Sequence, residues 1–324
     1  MWKIIGHDWA VQLLEASINQ GNIANAYLLT GPDGVGKRTL ALEMARALCC
    51  TGHPRPCDEC DNCRAVIRGS HPDVLVIGPQ DGSIKIDQVR ELRRRAMLAP
   101  HRSRYKIYII TDAETATPEA ANSLLKTLEE PPKHLVLILT ASNADALLPT
   151  IVSRCQVINL RPVPLSTIEK ALRERWDIQA EEATFLAHVS TGCPGVAIKL
   201  AQDEGLRDKR EREIKTLLEI LKGDVIDRFE WAASASRDPT TAQEMLERWL
   251  TIWRDMLLLA EGRRDWVVNL DFVDELGKAV EQMGKEALFK GLRETCSTVQ
   301  ALKKNANLRL ALEVLMLNLP CTRA

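Results

Sequence analysis

The segment Gly31-Pro32-Asp33-Gly34-Val35-Gly36-Lys37 follows a β-like run, Ala26–Thr30, and opens a helical pattern, Lys37–Leu48. This strand–loop–helix order is the context that a phosphate-binding P-loop requires. The three glycines let backbone N–H groups wrap phosphate groups, and the lysine at the end reaches the outer phosphates. The segment therefore predicts an α/β nucleotide-binding domain. A glycine-rich turn without a ligand is the alternative.

The first half of the chain alternates β-like runs with helical patterns, which is typical of a parallel sheet covered by helices. The predicted strands are Ala26–Thr30, Val74–Ile77, Lys106–Thr111, Leu135–Ala141 and Gln156–Leu160. The predicted helices are Asp8–Gln20, Lys37–Leu48, Asp87–Leu98, Pro118–Glu129 and Asp145–Val152. Prolines at positions 162 and 164 disfavour helix, so we expect this domain to cover residues 1–162.

The rest of the chain shows helical patterns alone. A compact three-helix unit is expected over residues 163–205, and its first helix, Ser166–Trp176, is predicted to begin with a capping box formed by Ser166 and Glu169. Long amphipathic helices are expected over residues 206–324, and the last of them, Leu308–Leu319, is very apolar. The predicted fold is therefore a P-loop α/β domain with a parallel sheet, followed by a small three-helix domain and an all-α domain.

The positions that bind magnesium in P-loop ATPases are altered here. The residue after the lysine is ordinarily Ser or Thr, whose hydroxyl binds Mg²⁺, but Arg38 stands there and Thr39 follows it. The strand that ordinarily ends in Asp-Glu ends in Thr111-Asp112. Asp112 is left to bind metal, to activate water or to cap the strand end. Since a guanidinium repels the cation, the sequence predicts weak magnesium binding and little hydrolysis. The predicted ligand of the loop is ATP or ADP.

Four cysteines lie close together after the helix that follows the P-loop: Cys50, Cys57, Cys60 and Cys63. Four thiolates on a short loop fit a tetrahedral Zn²⁺ site, which is closed and therefore structural. Cys49 is an alternative to Cys50 as the fourth ligand. An iron–sulfur cluster is the chemical competitor, but the Cys-Pro ending of the ferredoxin motif is absent. The segment 50–63 is thus predicted to be a zinc module, with unliganded thiols as the other alternative.

Composition and charge limit the classes of function. Apolar residues make up 45% of the chain, charged residues 27%, and the formal net charge is −1, so the whole chain does not attract nucleic acid. No apolar stretch of membrane-spanning length and no signal-peptide pattern is present, which predicts a cytoplasmic protein.

A local basic patch is the remaining feature that could bind DNA. Within it, Arg93 and Arg94 are the candidates for phosphate contacts, and a solvated helix face is the alternative. The patch consists of Arg90, Arg93, Arg94, Arg95, His101, Arg102, Arg104 and Lys106.

A P-loop domain with a four-cysteine insert after its first helix resembles the subunits of bacterial replicative clamp loaders, which belong to the AAA+ class. Four further segments match the family: Ala26–Gly31, Asn122–Pro132, Ser153-Arg154-Cys155 and Asn305–Glu313. They spread over nearly the whole chain, with specific motifs in the first half and a short signature near the end. The resemblance implies that residues 163–205 form a lid domain and residues 206–324 a collar domain.

The departures from the motor pattern point to one type of subunit within this family. Motor subunits keep their magnesium residues, whereas the delta-prime type often loses them and keeps the Ser-Arg-Cys motif. Arg38 and Thr111 are such losses, and Gly195 lies where the motor's lid carries a sensing arginine. The chain is therefore similar to the delta-prime type. This implies that Arg154 acts as an arginine finger for a neighbouring motor subunit, and a surface arginine paired with a local carboxylate is the alternative.

The resemblance also implies partners. The expected assembly is a five-subunit ring with gamma/tau motor subunits and a delta subunit, which acts on the sliding clamp and on primer–template DNA and involves no membrane. Two other hypotheses compete with this one. The first is an active Mg-ATPase motor of the gamma/tau type that uses Asp112, and the second is a DNA-stimulated ATPase unrelated to clamps, such as a helicase loader.

Overall fold

The computed structural model describes residues 2–322, and the chain divides into two compact units, residues 1–198 and 199–324. The first unit contains a sheet covered by helices, and the second is helical. The finer division into three domains stays a prediction. Among the described residues, no helix combines the length and the apolar character needed to cross a bilayer.

The sheet of the first unit has five strands in the order β2-β3-β4-β1-β5, and every neighbouring pair is parallel. The strands are β1 (Ala26–Thr30), β2 (Val74–Ile77), β3 (Lys106–Ile110), β4 (Leu135–Ala141) and β5 (Gln156–Asn159). All residues of β1, β3 and β4 are buried, as expected for central strands covered on both faces. The predicted parallel sheet is confirmed.

Helices cover both faces of this sheet. They are α1 (Asp8–Gln20), α2 (Lys37–Cys49), α3 (Asp61–Ile67), α4 (Ile86–Ala96), α5 (Pro118–Glu129) and α6 (Pro149–Val152). Three helices follow β5 in the chain: α7 (Leu165–Trp176), α8 (Ala180–Val189) and α9 (Pro194–Gln202). Alternate residues of β4 face opposite sides, so Ile138 packs in a core with α1 and α2, and Leu137 packs in a core with α4 and α5.

The second unit is a bundle of helices around two buried tryptophans. Its helices are α10 (Glu204–Lys222), α11 (Val225–Ala235), α12 (Pro239–Ala260), α13 (Val273–Met283), α14 (Lys285–Lys303) and α15 (Leu308–Asn318). The indole N–H of Trp253 donates to Oγ1 of Thr295 at 3.0 Å, and that of Trp249 donates to the Glu213 carbonyl at 3.2 Å. These bonds satisfy the only polar atoms of two otherwise apolar side chains.

Several predicted elements differ from the structure. The capping box at Ser166 is wrong, because α7 begins at Leu165, directly after a proline, and has no side-chain cap. The predicted helix Asp145–Val152 is a 3-10 turn followed by α6, which begins at Pro149 because proline is tolerated only in a helix's first turn. The helices α3 and α11 were not predicted. α3 is a short helix inside the cysteine segment, and α11 starts with two exposed apolar residues that obscure its amphipathic pattern.

Candidate functional site

The loop between β1 and α2 adopts the backbone conformation that its glycines predict. Gly31, Gly34 and Gly36 have φ angles of 143°, 76° and 117°, which residues with a side chain rarely adopt. A Cβ atom on Gly31 would lie only 2.3 Å from the carbonyl oxygen of Leu160. The loop therefore turns through a tight path from the end of the central strand into the N-terminus of α2, where backbone N–H groups favour an anion.

The side chain of Lys37 is buried within this loop. Its Nζ donates to the carbonyl oxygens of Gly31 at 2.6 Å and of Pro32 at 3.2 Å, and it pairs with Oδ1 of Asp33 at 3.2 Å. The residue is 7% exposed. The ammonium is thus held next to the backbone that faces phosphate groups in P-loops. Arg38 and Thr39, the next two residues, are exposed.

The end of β3 lies near the phosphate loop, as the sequence predicts for the carboxyl ends of parallel strands. Burial raises the pKa of Asp112, and the nearby carboxylates of Glu114 and Asp33 raise it further, whereas Lys37 and Arg38 oppose this shift. The backbone N–H of Asp112 donates to Oγ1 of the buried Thr140 at 3.1 Å. The acidic and basic candidate residues therefore share one electrostatic neighbourhood.

Two polar residues at this strand end have roles that the sequence did not reveal. The hydroxyl of Thr111 donates to the Ile77 carbonyl at 3.4 Å. Glu114 supplies a second carboxylate near Asp112, and its Oε1 accepts the backbone N–H of Ser142 at 2.7 Å. In the sequence, Glu114 could have been noticed because it lies two residues after Asp112. That spacing does not show that the two carboxylates lie close together, because their proximity depends on the turn at residues 113–115.

The start of α9 contacts the phosphate loop through backbone atoms. The N–H of Gly195 donates to the carbonyl oxygen of Gly34 at 2.8 Å, and a Cβ at position 195 would lie 2.9 Å from that oxygen. On another side of the loop, Nε2 of His7 lies 3.0 Å from the Val35 carbonyl, and burial lowers the pKa of this imidazole. Position 195 thus has no room for a side chain in this arrangement.

The four predicted zinc ligands come together. The sulfur atoms of Cys50, Cys57, Cys60 and Cys63 all lie within 4.8 Å of one another. Backbone N–H groups donate to three of them, from Cys57 to Cys50, from Cys60 to Cys57 and from Cys63 to Cys60, each at 3.4 Å. This pattern of donors stabilises thiolates, which are the form of cysteine that binds metal.

The structure separates Cys49 from this cluster. Its sulfur bonds with the hydroxyl of Ser103 at 3.5 Å, and burial raises its pKa to about 11. Within the cluster, burial opposes ionisation of Cys60, but hydrogen bonds from Thr51 and Cys63 outweigh it and lower the pKa to about 6. The geometry therefore selects Cys50 over Cys49 as the fourth member.

A buried ionic network joins the cysteine segment to the N-terminal segment beside the phosphate loop. Arg46 of α2 is 1% exposed and pairs with Glu43 at 2.5 Å and with Asp58 of the cysteine segment at 2.9 Å. Oε2 of Glu43 accepts the backbone N–H of Lys3 at 2.9 Å. The next residue, Ile4, lies beside the phosphate loop, because a Cβ atom built on Gly36 would lie 3.4 Å from the Ile4 side chain. The cysteine segment and the phosphate loop are thus connected through one helix.

Arg154 lies at the opposite end of the sheet from the phosphate loop of its own chain. β5 pairs in parallel with β1, with Gln156 opposite Tyr27 and Asn159 opposite Thr30. Arg154 precedes this pairing, whereas the loop follows it. The guanidinium donates to the Thr150 carbonyl at 3.0 Å and to Oε1 of Glu129 at 2.9 Å, with both charged side chains partly exposed.

The predicted basic patch is only partly continuous in the structure. Lys106 is buried and donates to the Arg95 carbonyl at 2.6 Å, which removes it from any surface. Arg94 pairs with Glu91, while Arg93 is half-buried. A groove of about 950 Å³ lies between α4 and α5. The basic residues that line it are Arg90, Arg93, Arg94 and Lys126.

Comparisons with known proteins agree with this architecture. A family model described as "DNA polymerase III, delta subunit" matches residues 6–164. The DNA polymerase III subunit delta' (delta-prime) of Bacillus subtilis is 32% identical over 314 residues, which cover 95% of this chain and 94% of that protein. The chain belongs to the DNA polymerase III delta-prime family. The resemblance inferred from the motifs is confirmed at this level.

Two further proteins are similar to this delta-prime family member. The subunit delta' of Pseudomonas aeruginosa is 30% identical over 310 residues, covering 92% of this chain and 88% of that protein. The solved structure of a DNA polymerase III gamma subunit-related protein from Thermotoga maritima is 20% identical. The match covers 95% of this chain and 97% of that one, with a TM-score of 0.46.

Proposed function

We propose that this chain is a clamp-loader subunit of the delta-prime type that supports ATP-driven loading of the sliding clamp onto primed DNA. In this role it completes the ATP site of a neighbouring motor subunit and hydrolyses little or no ATP itself. Its partners are the gamma/tau motor subunits, the delta subunit, the sliding clamp and primer–template DNA. Membership of the delta-prime family supports the role in the complex.

The altered magnesium positions support the absence of rapid hydrolysis. The P-loop and its lysine are intact, but Arg38 stands at the position of the metal-binding hydroxyl. Thr111 replaces the first carboxylate at the strand end, and its hydroxyl is bonded to Ile77. Mg²⁺ requires near-octahedral oxygen coordination, so the loss of two oxygen ligands weakens its binding at this site.

The position of Arg154 is the observation that carries the arginine-finger role. Arg154 and the phosphate loop lie on opposite sides of the β1–β5 pairing, which spans roughly 10 Å along the strands. The guanidinium therefore does not face the phosphates of its own chain. Its pair with Glu129 is partly exposed on both sides, and such pairs contribute little energy, so the guanidinium can exchange this carboxylate for another anion.

The cysteine cluster is proposed to hold one structural zinc ion. Four sulfur atoms at mutual distances within 4.8 Å match the donor set of closed tetrahedral sites. The residues that would hold the ion are Cys50, Cys57, Cys60 and Cys63, with Cys49 excluded by its contact with Ser103. When bound, zinc supplies folding energy to a segment that has only one short helix of its own.

The DNA contacts and the helical domains belong to the same proposal. Arg93 and Arg94 are proposed to contact DNA phosphates, supported by their place in the groove between α4 and α5. Four basic residues line this groove, together with Asp87, Glu129 and Glu130. Residues 163–205 are proposed as the lid and residues 206–324 as the collar. The lid assignment is supported by the contact between the start of α9 and the phosphate loop.

Substitution of Arg154 in the reconstituted complex tests the proposal. The complex would contain motor and delta subunits, clamp and primed DNA, and Arg154→Ala would be compared with Arg173→Ala, an exposed arginine on α7. An arginine finger contributes about 10³-fold or more to the rate of the site it serves, so total hydrolysis should fall by about the share of one motor site. Unchanged ATPase and clamp loading in an intact Arg154→Ala complex would reject the finger role.

The alternative of an active motor rests on the intact P-loop and on Asp112, which lies near Lys37. It predicts steady magnesium-dependent ATP turnover by the purified chain, with or without primed DNA, and loss of that turnover in Lys37→Ala. The non-hydrolysing role predicts background turnover in both proteins.

A further inference from the structure

We propose that the phosphate loop of this chain binds a nucleoside triphosphate in its metal-free form, with the guanidinium of Arg38 taking the place of the magnesium ion. The inference rests on the proposed function, in which this loop is a non-hydrolysing site. It adds the chemical form of the ligand and assigns a binding role to Arg38.

The loop itself is built to receive phosphate. Its three glycines have positive φ angles, and the 13-residue helix α2 begins at its end, where N–H groups without a partner in the helix favour an anion. Lys37 is held beside this backbone by the Gly31 carbonyl at 2.6 Å. These features recognise a phosphate chain whether or not a cation accompanies it.

Arg38 follows the loop directly and is free to contact an anion. It is the second residue of α2 and is exposed. Among residues 2–322, no hydrogen bond or ion pair holds its guanidinium. A guanidinium presents five N–H donors in a planar fork that matches two oxygens of a phosphate group. The Ser or Thr that ordinarily stands at this position offers one hydroxyl oxygen to the metal ion. The residue type at position 38 therefore suits direct contact with phosphate oxygens.

The same neighbourhood lacks two of the oxygen ligands that bind magnesium in P-loop ATPases. The hydroxyl of Thr111 bonds with a backbone carbonyl, and Thr39 is turned by about 100° from position 38 on the helix. Of the nearby carboxylates, Asp33 pairs with Lys37 at 3.2 Å, and Oε1 of Glu114 accepts the backbone N–H of Ser142 at 2.7 Å. The third carboxylate, Asp112, lies near the two cations Lys37 and Arg38. A divalent ion would have to enter beside two positive side chains, whereas these side chains attract a metal-free triphosphate, which carries more negative charge than its magnesium complex.

Calorimetric titration of the full-length chain with ATP would test this assignment, once in excess EDTA and once in excess MgCl₂, with elemental analysis confirming that the zinc content of the chain is the same in both buffers. The variants are Arg38→Ala, Arg38→Thr, Lys37→Ala as a test of the loop, and Arg68→Ala as an exposed control outside the site. Circular dichroism and thermal unfolding confirm that each variant is folded.

Because excess Mg²⁺ complexes most of the free ATP, the wild type should bind ATP more weakly in MgCl₂ than in EDTA, by about tenfold or more. Arg38→Ala should weaken binding in EDTA by about tenfold, since it removes a charge-assisted pair of hydrogen bonds. Arg38→Thr restores the hydroxyl and should bind ATP more tightly in MgCl₂ than in EDTA. Arg68→Ala should match the wild type.

Three results would overturn the inference: wild-type binding that is as tight in MgCl₂ as in EDTA or tighter, no binding of ATP under either condition, or unchanged affinity of Arg38→Ala in EDTA. None of these results bears on the arginine-finger role, which the Arg154→Ala complex decides separately. The two proposals therefore fail independently.

Discussion

At the scale of single residues, position 195 shows how a missing side chain shapes the surroundings of the phosphate loop. Its N–H meets the Gly34 carbonyl at 2.8 Å, so backbone packs directly on backbone. Any side chain at this position would have to displace either the loop or the start of α9, because a Cβ would lie 3.1 Å from the Gly34 Cα as well. The absence of an arginine here is therefore coupled to a close contact within the first unit.

A matched pair of glycine substitutions tests this contact. Gly195→Ala should destabilise the chain by about 1–3 kcal/mol, because the added methyl group clashes with the loop backbone. Gly277→Ala, in the interior of α13 with no atom within 4 Å of the new methyl group, should stabilise it by up to about 1 kcal/mol. Urea unfolding followed by circular dichroism measures both values. Equal effects of the two substitutions would contradict the close contact.

At the scale of elements, α2 connects two sites that the sequence treats separately. The helix starts at the phosphate loop with Lys37 and ends at Cys49, next to the cysteine segment. Between them, Arg46 and Glu43 form buried ion pairs toward Asp58 and a hydrogen bond to the N-terminal segment. Breaking such a buried network is costly, because the remaining charge stays without compensation. We therefore expect the cysteine segment to stabilise α2 and the N-terminal segment as well as its own residues.

Replacement of one cluster cysteine tests this stabilising role. Cys60→Ser should lose bound zinc and lower the Tm of the chain by about 5 °C or more, since structural zinc contributes folding energy. Cys49→Ser should keep one zinc per chain, because its sulfur bonds with Ser103 and lies outside the cluster. Elemental analysis and thermal unfolding, with and without a chelator, provide the two measurements. Loss of zinc in Cys49→Ser, with zinc retained in Cys60→Ser, would reverse the assignment.

At the scale of the whole molecule, the second unit carries an apolar surface that its own core does not use. Leu310, Val314 and Leu317 lie on one face of α15 and are 61%, 48% and 61% exposed. Their spacing of three and four residues forms a continuous stripe. Contiguous exposed apolar residues are typical of subunit contacts, which agrees with the proposed collar.

Charge placed on this stripe tests the collar assignment. The double substitution Leu310→Asp, Val314→Asp should prevent co-elution with the motor and delta subunits in size-exclusion chromatography, because it buries charge in an apolar contact. The stability of the isolated chain should change by less than about 0.5 kcal/mol, since both side chains are exposed. Val225→Asp, at another exposed apolar position on α11, is the control and should assemble normally. Normal assembly of the double variant would exclude this face from the collar.

The sequence alone determined the features that depend on local spacing. The glycine loop and the helix after it follow from the local sequence. The bounds of the strands β1, β2 and β4 also match the prediction. The substitutions at Arg38 and Thr111, the cysteine spacing and the Ser-Arg-Cys motif were equally visible in the sequence. These features were sufficient to identify the family.

Only the tertiary structure decided which distant residues meet. The choice of Cys50 over Cys49 depends on Ser103, which lies more than 50 residues away along the chain. The pairing of β5 with β1 sets Arg154 at the end of the sheet opposite the phosphate loop, and the packing of α9 explains the glycine at position 195. The periodicity of apolar residues predicts which side of a helix or strand is buried. It does not predict which other segment packs against that side, because this depends on the packing of the whole unit.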